Sequence, residues 1–68
     1  MPFIDVTLTE GRSAEALRAL ITGLTDAAVV ALDTPRGNVR VVVREVPQTH
    51  WAAGDVTIAE RTQRQEQG

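Results

Sequence analysis

No cysteine, lysine or tyrosine occurs in the 68 residues of this chain, and histidine, serine, phenylalanine and tryptophan occur once each. Without cysteine, disulfides and thiolate metal sites are excluded, and a lone His50 supplies no histidine cluster for a metal. The absence fits a reducing compartment without demanding one. Positive charge is also short: seven basic side chains face nine acidic ones, a net charge of −2. That balance argues against nonspecific nucleic-acid binding, which rests on a basic surface. Long apolar runs are missing too. The longest, Ala27 to Leu32, is far below a membrane span, and Met1-Pro2-Phe3-Ile4-Asp5 lacks the basic lead of a signal peptide. The expectation is a cytoplasmic domain with neither nucleic acid nor membrane as partner. A chain of this size folding alone buries only about 60% of its unfolded surface. With disulfides excluded, partner subunits are the expected support.

What is present narrows the chemistry. All seven cations are arginines, at positions 12, 18, 36, 40, 44, 61 and 64. Arginine binds anions but stays protonated, so it makes a poor proton shuttle. Near neutrality the groups able to exchange protons are His50 and the amino terminus of the chain. Any other acid–base role would need a carboxylate with a raised pKa.

The pattern along the chain predicts an α/β fold, a short β-α-β unit with parallel strands. Ile4, Val6 and Leu8 alternate with Phe3, Asp5 and Thr7, which reads as a strand over 3–8. Gly11 marks a loop, and Ser13 is a candidate N-cap with Glu15 in the first turn. Leu17, Leu20, Ile21, Leu24, Ala28 and Ala31 then form one apolar stripe of a helix reaching about Leu32. Thr34-Pro35 ends it. Val39 to Val46 reads as a second strand, stopped by Pro47. A strand, a helix and a strand imply parallel pairing with a right-handed crossover. Gln48 to Gly54 is expected to turn and Asp55 to Ala59 to add a short strand. Residues 2–61 are read as one domain and 62–68 as a polar, disordered tail. One helix covers one sheet face only, so the face bearing Val42 and Val46 is expected to meet another subunit.

Pro2 carries the chemical interest. Trimming Met1, usual before a small residue, would expose a secondary amine in a ring at the start of a strand. An α-amino group titrates near about 7.7–8.0 in water. Apolar burial and nearby guanidinium groups would both disfavour its protonated form, leaving a neutral general base.

Pro2 opening a strand, Glu10-Gly11-Arg12-Ser13 before a long helix, Val39-Arg40-Val41 in the second strand and His50-Trp51 after it together resemble the 4-oxalocrotonate tautomerase family. The likeness runs from Pro2 to about Gly54 in the expected order. It implies a hexamer, a trimer of dimers, with active sites at subunit junctions. It also implies a cofactor-free, metal-free isomerase acting on unsaturated 2-hydroxy or 2-oxo carboxylic acids such as 2-hydroxymuconate. By resemblance Pro2 is the general base and Arg12 binds a substrate carboxylate. Arg40, from a neighbouring subunit, holds the other carboxylate or polarises the 2-oxygen. Trp51 stands where the family commonly has Phe as an aromatic wall, with Leu8 as a further apolar wall.

The chemistry of these residue types agrees. A dienolate gathers charge on its 2-oxygen, where a guanidinium stabilises the transition state above the ground state. Two arginines suit a dicarboxylate, each gripping through a bidentate fork. Other occupations stay open. Arg12 could be a solvated loop residue, Arg40 and Arg44 could pair with Asp5 and Glu45, and Trp51 could anchor an interface. His50 reads as structural, and Arg36 is an extra cation within reach of a pocket. The superfamily's dehalogenases and hydratases place a carboxylate near the aromatic. Here Asp55 is the first acid after Trp51, which makes hydration or dehalogenation of 3-haloacrylate-like acids the second enzymatic reading. A non-catalytic oligomeric binding module is the third, and relatives built from two chains leave a hetero-hexamer beside the homo-hexamer.

Overall fold

The computed structural model describes the backbone of residues 1–67 and the side chains of residues 1–63. Strand β1 (Phe3–Thr9) leads through a loop into helix α1 (Ala14–Leu32), and strand β2 (Arg40–Val46) returns beside β1. The two pair in parallel, with Phe3 opposite Arg40, Asp5 opposite Val42 and Thr9 opposite Val46. Side-chain alternation follows from the strand period of two. Ile4, Val6 and Leu8 are half-buried on the helix side, and Phe3, Asp5 and Thr7 are exposed on the other.

The helix begins where the sequence places it. Ser13 has extended backbone, and its Oγ accepts from the Ala16 amide at 3.1 Å. That contact satisfies one of the first-turn donors, which otherwise lack partners. Gly11 makes the preceding turn at φ 127°, a conformation that L side chains rarely adopt. At the other end Asp33 takes the left-handed C-cap conformation at φ 50°, one residue before the predicted Thr34-Pro35 stop. Val39 caps the short 3₁₀ turn Arg36–Asn38, so β2 starts one residue later than predicted.

The carboxy-terminal quarter differs more. Ala52–Ala53 (β3) and Val56–Thr57 (β4) form an antiparallel hairpin of their own. Gly54 and Asp55 sit at its tip with φ 59° and 67°. Two successive positive φ values belong to the tight hairpin turn whose twist matches its flanking strands. The strand predicted over 55–59 is therefore only β4. From Ile58 the chain becomes helix α2 (Ile58–Gln67), where a polar, disordered tail was expected over 62–68. Thr57 Oγ1 accepts from the Glu60 amide at 3.1 Å, Glu, Gln and Arg are good helix formers, and the half-buried Ile58 and Ala59 anchor the first turn. Gly68 lies outside the described residues. Among the described residues, no helix is long and apolar enough to cross a membrane.

Half a core results. No described residue is fully buried, and Phe3, Val30 and Leu32 are 63%, 83% and 62% exposed. The chain exposes 5010 Å², against about 4,200 Å² for a compact monomer of this mass. Its radius of gyration is 15.7 Å, where a compact chain of this length has about 11 Å. The sheet face opposite α1 is bare, and parallel sheets are normally covered on both sides.

Two outcomes follow from these contacts. Ser13→Ala is expected to lower stability by about 1 kcal/mol, read as a denaturation midpoint at fixed protein concentration. Val42→Asp, in mid-face, is expected to break the assembly on sedimentation; an unchanged particle would show that this face is not an interface.

Candidate active site

Parallel strands have two chemically distinct ends, and the candidate residues divide between them. At the amino-terminal end Pro2 precedes β1 half-buried, and its carbonyl accepts from the Arg40 amide at 3.0 Å. Arg40 of the same chain is therefore a direct neighbour of Pro2 through the backbone. Its Nη1 turns back to donate to the Gly37 carbonyl at 2.6 Å. Met1 is present and 81% exposed, so the Pro2 nitrogen here is an amide.

At the carboxy-terminal end stand Leu8, Arg12 and Trp51. Leu8 is half-buried on the helix side of β1. Arg12 lies in the loop beyond β1 and donates from Nη1 to the Thr9 carbonyl at 3.1 Å. The Glu10 amide donates to the Val46 carbonyl at 2.9 Å, which ties this loop to the end of β2. Trp51 follows through Pro47 and the 3₁₀ turn Gln48–His50, is 38% exposed, and accepts at its carbonyl from the Ile58 amide at 2.9 Å. Seven residues of β1 separate the two ends, about 20 Å at the usual strand rise. One chain does not bring Pro2 and Arg12 together, and the described residues enclose no cavity.

The remaining charges sort by their contacts. Arg44 Nε donates to Asp5 Oδ1 at 3.1 Å, the cross-strand ion pair named as its alternative occupation. Arg36 does not stand free as a pocket cation, since its Nη2 meets Asp26 Oδ1 at 2.6 Å. Arg12 and Arg40 form no ion pair among the described residues, and each spends a donor on a carbonyl. A guanidinium has five donors, so most of each fork remains for an anion. His50 is exposed in its turn, with its amide on the Pro47 carbonyl at 2.8 Å. Asp55 sits at the hairpin tip, whereas Trp51 lies just before β3 at the base. The acid is thus two strand positions and a turn removed from the aromatic. Among the described residues no group of three His, Asp or Glu lies close enough together to hold a metal ion.

Sequence reasoning missed Asp26 and the Gly37 carbonyl, which touch two of the cations singled out from the sequence. Asp26 reads as a solvated helix residue, and a backbone carbonyl has no sequence signal at all.

The comparisons with known proteins agree with this architecture. A family model described as tautomerase enzyme matches residues 2–61. A probable tautomerase of Ralstonia nicotianae is 55% identical over 56 residues, which are 82% of this chain and 80% of that protein. The 2-hydroxymuconate tautomerase of Comamonas testosteroni is 40% identical over 60 residues, covering 88% and 95% of the two chains. Among solved structures, a heterohexamer 4-oxalocrotonate tautomerase from Chloroflexus aurantiacus superposes with a TM-score of 0.85 at 42% identity, over 88% of this chain and 97% of that one. Alike in sequence along most of its length and alike in fold, the β-α-β chain that opens on Pro2 belongs to the tautomerase family, in its 4-oxalocrotonate tautomerase branch.

Proposed function

We propose that this protein is a cofactor-free tautomerase of unsaturated 2-hydroxy and 2-oxo carboxylic acids, dicarboxylates of the 2-hydroxymuconate type above all. The observation that carries the reading is the division of the candidate residues between opposite ends of one unfinished sheet. The Pro2 end of one protomer meeting the Arg12 and Trp51 end of another would complete a site that neither holds alone. The 2-hydroxymuconate activity named for the Comamonas relative supports the substrate class.

In this reading Met1 is removed and the Pro2 nitrogen becomes a secondary amine whose ring fixes the direction of its lone pair. The amine takes the proton of the 2-hydroxyl and returns it to a carbon of the conjugated chain, so the dienol becomes a conjugated 2-oxo acid. Between the two transfers, charge gathers on the 2-oxygen. Arg40, which shares the Pro2 end of the sheet, stabilises it or holds the nearer carboxylate, and Arg12 of another protomer grips the far carboxylate. Trp51 and Leu8 wall the pocket, lowering the local dielectric and favouring the neutral amine. The assembly is a hexamer of this chain in the cytoplasm; a mixed assembly, as the Chloroflexus relative forms, is the alternative. The position of Asp55 at the hairpin tip favours proton transfer over hydration, because the first acid after Trp51 is held a turn away from the aromatic.

Pro2→Ala is expected to lower turnover of a dienol by roughly 10²–10⁴-fold with the assembly unchanged on sedimentation. Arg12→Ala should mainly raise KM for dicarboxylates, and Arg40→Ala should lower kcat as well. Intact mass of the active protein should show Met1 absent, since a retained methionine leaves an amide without basicity. Ultraviolet assays should record ketonisation of a dienol; halide release from a 3-haloacrylate in its place would assign the dehalogenase reading.

A further inference from the structure

An exposed arginine is a poor electrostatic tool until something fixes its direction. Its long side chain has many rotamers to lose. Arg40 begins β2 and is exposed, so packing does not hold its guanidinium. The contact that does is the Gly37 carbonyl, 2.6 Å from Nη1. Gly37 lies in the 3₁₀ turn Arg36–Asn38, closed by the Asn38 amide on Pro35 at 3.0 Å and the Val39 amide on Arg36 at 3.2 Å. Those bonds shape the turn but do not fix it against the helix. What joins its side chains to α1 is the ion pair from Arg36 Nη2 to Asp26 Oδ1 at 2.6 Å. A line of contacts therefore runs from Asp26 through Arg36 and the Gly37 carbonyl to the Arg40 guanidinium.

We propose that Asp26 and Arg36 are positioning residues for Arg40: their ion pair clamps the 36–38 turn to α1, and the Gly37 carbonyl held there aims the Arg40 guanidinium at the substrate. The inference rests on Arg40 acting at the site as described above. It gives Arg36 a role other than contacting substrate. Bound to Asp26, its charge is engaged on the helix and its backbone carries the turn. Asp26 contributes through geometry alone. The pair is more than half exposed on both sides, so its worth to global stability is small. Its effect on a guanidinium two residues beyond the turn is a matter of direction, and a shift of about 1 Å in a charged group at a reacting centre costs up to 10²-fold.

The test is steady-state kinetics on a saturating dienol dicarboxylate with the whole assembled protein. The set is Asp26→Asn, Arg36→Met and the charge-exchanged pair Asp26→Arg/Arg36→Asp, each alone and combined with Arg40→Ala. Asp26→Asn and Arg36→Met should each lower kcat by roughly three- to ten-fold, with KM changed less than two-fold and the particle size unaltered. The charge-exchanged pair should recover most of the loss. In the Arg40→Ala background the same substitutions should have no further effect, because the group they aim is gone.

Wild-type kcat in Asp26→Asn, with Arg40→Ala impaired, would overturn the positioning role while leaving the function intact. The same loss with and without Arg40 would overturn it as well, since the pair would then act through general structure. A raised KM in Arg36→Met together with an unimpaired Asp26→Asn would instead make Arg36 a direct substrate ligand. Full activity in Arg40→Ala would remove the premise and, separately, count against the proposed function.

Discussion

A two-stranded parallel sheet with one helix on one face is an unfinished object, and most of what this molecule does follows from that. The helix covers the face of Ile4, Val6, Val41 and Val43, whereas the half-buried Val42 and Val46 and the exposed Phe3 lie on the other face. Apolar area left in water is worth about 25 cal/mol per Å² when covered. The chain exposes about 800 Å² more than a compact monomer of its mass, so covering its open face is the stabilisation that a single chain lacks.

The same incompleteness organises the chemistry. Parallel pairing places both strand starts at one end and both strand finishes at the other. Pro2 and Arg40 therefore share the first end, and Arg12, Leu8 and Trp51 share the second. In the proposed reading a site that unites them is a property of the assembly, and the described residues of a single chain enclose no cavity. It also explains why the lone guanidinium groups sit on carbonyls rather than carboxylates. An arginine committed to an ion pair, as Arg44 is to Asp5, would face the cost of giving up one carboxylate to bind another. Arg12 and Arg40 escape that competition.

What the sequence made legible was whatever is written in periodicity and in local side-chain chemistry. The alternation of Ile4, Val6 and Leu8 and the Ser13 cap with its helix stripe led straight to β1 and α1. The spacing of Pro2, Arg12, Arg40 and Trp51 identified the family, because motif residues are written one by one in the sequence. The β3–β4 hairpin was missed: two-residue strands carry no period, and Gly54 reads as the end of a turn with Asp55 opening a strand, whereas the two share one hairpin tip. Helix α2 was missed because the absence of apolar residues outweighed a Thr57 cap and favourable propensities. Arg36 was singled out, but its partner Asp26 and the Gly37 carbonyl were not. Tertiary ion pairs and backbone acceptors have no expression in residue spacing.

The central claim is that each active site takes its proton-moving nitrogen from one subunit and its carboxylate-gripping Arg12 from another. Mixing tests it directly. Pro2→Ala protein and Arg12→Ala protein are dissociated together in equal amounts, reassembled, and assayed on a dienol dicarboxylate at a concentration far below the raised KM of Arg12→Ala, where both parents are nearly inactive. Random reassortment places an intact Pro2 beside an intact Arg12 in about one site in four, so about a quarter of wild-type turnover should return. If the mixed particles form and stay as inactive as the two parents, each site is contained within one chain, and the account is wrong.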